Sequence, residues 1–113
     1  MTDVSERIVL ARVADVPEND VIGVTVRGVP MAVYNVDGTF HASDDICNHG
    51  QARLSEGFLD GDVIECPLHG GCFNVASGKP CAPPVTDDMK VYSVAVDNGE
   101  IILADPSQLS GAS

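Results

Sequence analysis

The sequence predicts an all-β domain built from short antiparallel strands. Three observations carry that expectation. Short β-branched and apolar runs recur along the chain, Asp-Gly and Asn-Gly pairs punctuate them, and no segment shows a helical apolar period with caps at its ends. At 113 residues the chain is expected to form one domain. A chain this short buries a limited fraction of its surface, and such domains often lean on a metal or on disulfides.

Taken in order, Ile8 to Val13 reads as a first strand and Pro17-Glu18-Asn19-Asp20 as a turn. Val21 to Arg27 is β-branched and reads as a second strand, broken by Gly28-Val29-Pro30. Met31 to Val36 and Thr39 to Ala42 flank Asp37-Gly38, the signature of a hairpin with a two-residue turn. Asp60-Gly61 predicts a turn between Gly57-Phe58-Leu59 and Val63-Ile64-Glu65. Asn98-Gly99 predicts another, between Val91 to Val96 and Glu100 to Leu103. The tail from Asp105 to Ser113 is small and polar and is expected to fray.

Seventeen acidic residues against six basic ones give a formal net charge of -11. That balance argues against nucleic acid and acidic membrane surfaces as partners, and suits steering toward basic patches on other proteins. No apolar stretch approaches the ~18 residues a membrane-spanning helix needs. The acidic start, Met1-Thr2-Asp3, is unlike a secretory signal. The expected location is the cytoplasm.

The chemistry is concentrated in two short stretches, Cys47-Asn48-His49-Gly50 and Cys66-Pro67-Leu68-His69-Gly70. Two thiols and two imidazoles arrive as matched pairs, each Cys shortly before its His. Such a set suits either a tetrahedral zinc site or a [2Fe-2S] centre in which two His replace two Cys on one iron. The order favours the cluster, because each stretch supplies one ligand of each kind. Structural zinc motifs more often run Cys-x-x-Cys and then His-x₃₋₅-His. No Gly-rich phosphate loop, nucleophile elbow or facial iron triad is present, so no catalytic residue is singled out.

C-N-H-G and C-P-L-H-G resemble the Rieske motif, C-x-H then C-x-x-H. The likeness continues through Gln51-Ala52-Arg53-Leu54-Ser55, Gly57-Phe58-Leu59, Phe73-Asn74-Val75, Ser77-Gly78-Lys79 and Cys81-Ala82-Pro83. The whole is similar to the small Rieske ferredoxins of bacterial aromatic-ring-hydroxylating dioxygenase systems, those acting on naphthalene and biphenyl among them. The resemblance implies a Rieske fold: an antiparallel β-sandwich base over about 1–43 and 85–113, and a small cluster-binding β subdomain over about 44–84. It implies one [2Fe-2S] cluster, with Cys47 and Cys66 on one iron and His49 and His69 on the other. The added electron would then reside on the His-ligated iron, near the tip. It implies a one-electron carrier rather than an enzyme, taking its electron from a flavin-containing ferredoxin reductase and passing it to a terminal oxygenase, with no small-molecule substrate of its own. The small Rieske-like subunit of an assimilatory nitrite reductase is the alternative within the same motif, and a structural zinc module the alternative outside it.

Further residues acquire expectations from this frame. Gly50, Gly70 and Gly71 are expected to adopt positive φ and bring backbone N–H groups to the sulfides. High-potential Rieske proteins carry a Ser and a Tyr at the positions held here by Gly71 and Phe73. With neither hydroxyl present, the potential is expected at the low end of the Rieske range, about −150 to +300 mV. Pro83-Pro84 matches a proline-bearing loop over the cluster, and with Leu68 and the ligand-loop glycines it would form the apolar docking tip. Some Rieske proteins tie their ligand loops together with two more Cys, but Ala52 and Leu68 occupy those places. Cys72 and Cys81 read as small buried apolar residues, with a disulfide between them left open as the alternative. His41 reads as a packing or surface residue, and Asp44-Asp45 as solvated or docking charges.

Overall fold

The structure is a computed structural model that describes residues 8–46, 52–67, 71–82 and 89–105. Among the described residues it contains eleven strands in three antiparallel sheets and no α-helix. The first sheet runs β1 (Val9–Arg12), β11 (Glu100–Leu103), β10 (Val94–Asp97). The second runs β2 (Asp20–Val26), β3 (Val29–Val36), β4 (Thr39–Asp44), β9 (Val91–Tyr92). The third runs β5 (Phe58–Asp60), β6 (Val63–Glu65), β7 (Cys72–Asn74), β8 (Pro80–Ala82). Two 3₁₀ turns, Val13–Asp15 and Leu54–Glu56, complete the described elements.

β3 explains the layering. Met31, Ala32, Val33 and Tyr34 are all 0% exposed, so the strand is covered on both faces. Successive side chains alternate between faces. Met31 and Val33 join Leu10, Val26, Ala42, Ile101 and Leu103 in one apolar cluster, which seals the first sheet against the second. Ala32 and Tyr34 join Val21, Leu54, Ile64, Cys66, Phe73 and Val75 in another, which seals the third sheet against the opposite face. The middle sheet is therefore shared by the base sandwich and the smaller sheet.

The hairpins follow their turn chemistry. Asp37 and Gly38 have φ of 50° and 89°, and Asn98 and Gly99 have 54° and 76°, as a turn with two positive φ values requires. Three expectations need correction. Pro30 does not break the chain but lies within β3, opposite Thr25 and beyond the last β3–β4 pair, Met31 with Asp44. Near a strand start its missing N–H is tolerated. The β5–β6 turn is Gly61-Asp62 rather than Asp60-Gly61, since Asp60 pairs with Val63. The run from Val91 to Val96 is two strands. Tyr92 pairs with Ala42 in the second sheet and Val94 pairs with Leu103 in the first, so the chain changes sheets at Ser93.

Candidate metal centre

Cys66, the first residue of the second expected ligand segment, stands at the end of a hairpin. β6 and β7 pair Val63 with Asn74, Ile64 with Phe73 and Glu65 with Cys72. One further bond closes the ladder, Cys66 N–H donating to the Gly71 carbonyl at 2.7 Å. Cys66 is 3% exposed, carries a free thiol and packs in the apolar cluster with Leu54, Ile64 and Phe73. A buried thiol with no disulfide partner, set at the mouth of a closed loop, suits a metal ligand. Gly71 is buried, and its carbonyl is what holds Cys66.

The chain on either side of residues 47–51 is also tied. Ile46 and Arg53 form an isolated antiparallel bridge, and Leu54 N–H donates to the Asp45 carbonyl at 2.7 Å. Asp45 N–H in turn donates to the Pro30 carbonyl at 3.1 Å, fastening this segment to β3. Cys47, His49 and His69, with Gly50, Gln51, Leu68, Gly70, Pro83 and Pro84, lie outside the described residues. Of the four expected ligands, Cys66 is the one whose surroundings are described.

Packing brings the two segments to one place. Leu54 and Cys66 share an apolar cluster, with Ala52 packed against it. Gly57, just beyond the Leu54–Glu56 turn, lies against the second segment. A Cβ there would overlap the Glu65 carbonyl oxygen and stand 3.2 Å from Pro67 Cδ. Nothing in the sequence separates Gly57 from an ordinary turn glycine, because the constraint comes from a strand that joins only on folding.

The polar groups beside this region are more ordered than the sequence suggested. Asp45 is 1% exposed, not a solvated docking charge. Its carboxylate accepts from Ser55 N–H at 2.7 Å, Ser55 Oγ at 3.0 Å and Arg53 Nη1 at 3.2 Å. Asp44 is half-buried and accepts from the Tyr92 hydroxyl. Burial, then the bond to Asp44, raises the Tyr92 pKa well above the usual phenol range. Tyr34, fully buried, is likewise raised, first by burial; its hydroxyl and Ser43 Oγ lie 2.7 Å apart. His41 is half-buried on β4, as a packing residue would be. Burial lowers its pKa, and the nearby Asp62 carboxylate opposes that.

The remaining thiols also depart from expectation. Cys72 and Cys81 form a disulfide between β7 and β8, with Cα atoms 5.4 Å apart. Cys72 is half-buried and Cys81 exposed, so neither is a buried apolar filler. The cause is a register shift. Cys72 pairs with Ala82 and Phe73 with Pro80, leaving Cys81 as an extra residue beside Cys72.

Among the described residues no helix is long and apolar enough to cross a membrane. Comparison with known proteins matches residues 6–93 to the Rieske [2Fe-2S] domain. The chain is 49% identical over 89 residues to the ferredoxin component of the naphthalene 1,2-dioxygenase/salicylate 5-hydroxylase systems of a Ralstonia species, covering 79% of this chain and 86% of that one. Its fold is similar to that of the Sphingomonas yanoikuyae B1 ferredoxin, with a TM-score of 0.85 and 37% identity, covering 89% of this chain and 100% of that one. It is also similar to a chain in a complex of reduced oxygenase and oxidised ferredoxin in carbazole 1,9a-dioxygenase. There the TM-score is 0.81 and the identity 44%, covering 87% and 92% of the two chains.

Proposed function

Because the chain belongs to the Rieske [2Fe-2S] domain family, we propose that it is a one-electron carrier, the ferredoxin component of an aromatic-ring-hydroxylating dioxygenase system. The observation that carries this reading is the 49% identity to such a component over 86% of that component's length. The buried free thiol of Cys66, held at a loop mouth by Gly71, supports it from the side of the site. Cys47 and Cys66 would hold one iron as thiolates, and His49 and His69 the other as neutral imidazoles. Bound there, a [2Fe-2S] cluster supplies a one-electron couple.

The chain's own residues do the rest. The hairpin bond from Cys66 to Gly71 and the bridge from Ile46 to Arg53 hold the two ligand segments at their bases. The cluster of Leu54, Ile64, Cys66 and Phe73 keeps water from the inner side. A rigid surround keeps nuclear rearrangement small when an electron arrives or leaves. The segment over about 44–84 would be the cluster-binding subdomain and the remainder the base. The partners would be a flavin-containing reductase and a terminal oxygenase, met in the cytoplasm. The net charge of -11 would speed encounters with basic docking faces, and added salt would slow them.

Reconstitution tests the reading. A flavoprotein reductase, a terminal oxygenase of this class and the purified chain are combined with NAD(P)H and an aromatic substrate. Turnover that requires the chain and declines with ionic strength is expected. Turnover independent of the chain, with every class-matched oxygenase tried, would overturn it. Replacing Gln51 or Pro84 with a bulky charged residue should lower turnover if the tip docks.

A further inference from the structure

Asp45 is the one charged side chain among the described residues that is almost completely buried, at 1% exposure. It lies two residues before Cys47, and its partners Arg53 and Ser55 lie just beyond the end of the same segment. Backbone and side chain act together. The Asp45 carbonyl takes the Leu54 N–H at 2.7 Å, and its carboxylate takes the Ser55 N–H at 2.7 Å, the Ser55 hydroxyl at 3.0 Å and Arg53 Nη1 at 3.2 Å. The middle sheet makes room for the group. β2 turns Gly23 toward it, and a Cβ at Gly23 would stand 2.7 Å from Ser55 Oγ and 3.1 Å from Asp45 Oδ2.

We propose that Asp45, Arg53 and Ser55 are positioning residues that clasp the ends of the first ligand segment, and that the Asp45–Arg53 charge pair sets the reduction potential of the bound group. This rests on the reading that Cys47 and His49 are ligands. Charge-assisted hydrogen bonds from a backbone N–H, a hydroxyl and a guanidinium hold a loop base more firmly than neutral ones. The two charges are unequally screened: Asp45 is buried, while the Arg53 side chain is 48% exposed. An incoming electron adds negative charge, so a nearby carboxylate opposes reduction and a nearby guanidinium favours it. The buried partner, less screened, should have the larger effect.

The test compares Asp45→Asn, Arg53→Gln, Ser55→Ala, Ser55→Thr and Gly23→Ala with the unaltered protein. The readouts are iron and sulfide per chain, the reduction potential, the low-temperature electron spin resonance of the reduced protein, and amide exchange at Ser55. Asp45→Asn is expected to raise the potential and Arg53→Gln to lower it by less. A merely structural role would move both the same way or neither, and either result overturns the proposal. The Ser55 amide should exchange roughly ten- to a hundredfold faster in Asp45→Asn, which loses the ionised acceptor. Ser55→Ala and Gly23→Ala should broaden the resonance and lower iron content, and Ser55→Thr should restore both. An unaltered protein without iron and sulfide would sink the ligand reading and this inference with it. One with a full complement, and an Asp45→Asn potential unchanged, would sink this inference alone.

Discussion

Replacing Leu54 with alanine probes the packing beside the two expected ligand segments. Leu54 is 0% exposed and shares one apolar cluster with Val21, Ala32 and Tyr34 of the middle sheet, Ile64 and Phe73 of the smaller one, and Cys66. Alanine keeps the backbone N–H that donates to the Asp45 carbonyl, so the change isolates side-chain burial. Buried Leu→Ala substitutions cost about 2–5 kcal/mol, the upper part of that range applying where the surroundings cannot collapse into the gap. Here paired strands form both walls, so about 3–4 kcal/mol is expected. For a domain whose total stability is of order 5–15 kcal/mol this is a large share. With a urea slope of about 1.5 kcal/mol per molar, the midpoint should fall by roughly 2–2.7 M. The assay is urea unfolding followed by far-ultraviolet circular dichroism and visible absorbance together, with Val96→Ala, at 53% exposure, as the control. The two probes should move together, because Leu54 and Cys66 share one cluster. A loss below about 1 kcal/mol, or a visible band that survives at the original midpoint, would refute the reasoning.

Three further outcomes follow from single residues. Burial lowers the His41 pKa below its usual value near 6.5, so the folded state binds the proton less readily than the unfolded chain. Stability should therefore be undiminished above about pH 6.5 and decline as the pH falls through it. His41→Gln should flatten that dependence, and an unchanged slope between pH 7.5 and 5.5 would contradict it. Phe73, fully buried at the position where high-potential relatives carry a Tyr, supplies no hydroxyl. A redox titration should place the protein at the low end of the Rieske range and Phe73→Tyr above it, and a wild-type value well above zero would remove this argument. The Cys72–Cys81 disulfide spans nine residues of sequence, for which loop entropy implies about 2.5–3 kcal/mol. Cys72→Ser or thiol reduction should lower stability by similar amounts, and additive losses from the two together would contradict the pairing.

What the sequence discloses depends on how local the physics is. The Asp37-Gly38 and Asn98-Gly99 turns were legible because each needs two positive φ values that these residue pairs favour. The strands around them follow from β-branched content. Ser93 was not legible as a change of sheet, because the register of Tyr92 with Ala42 and of Val94 with Leu103 is decided by distant strands. Asp45 looks the same in sequence as its more exposed neighbour Asp44. Its burial requires Gly23 on β2 and Ser55 beyond the first ligand segment to meet it, a contact with no local signature. Cys81 pairs with Cys72 because of a register shift that spacing does not announce.

The most direct test of the account is the nitrogen hyperfine coupling of the reduced protein, measured with ¹⁵N-labelled histidine at low temperature. Coupling from two histidine nitrogens, reduced to a single nitrogen or lost with the cluster in His49→Ala and again in His69→Ala, is the expected result. A spectrum with no histidine coupling, or one that either substitution leaves unchanged, would contradict mixed ligation by Cys47, Cys66, His49 and His69.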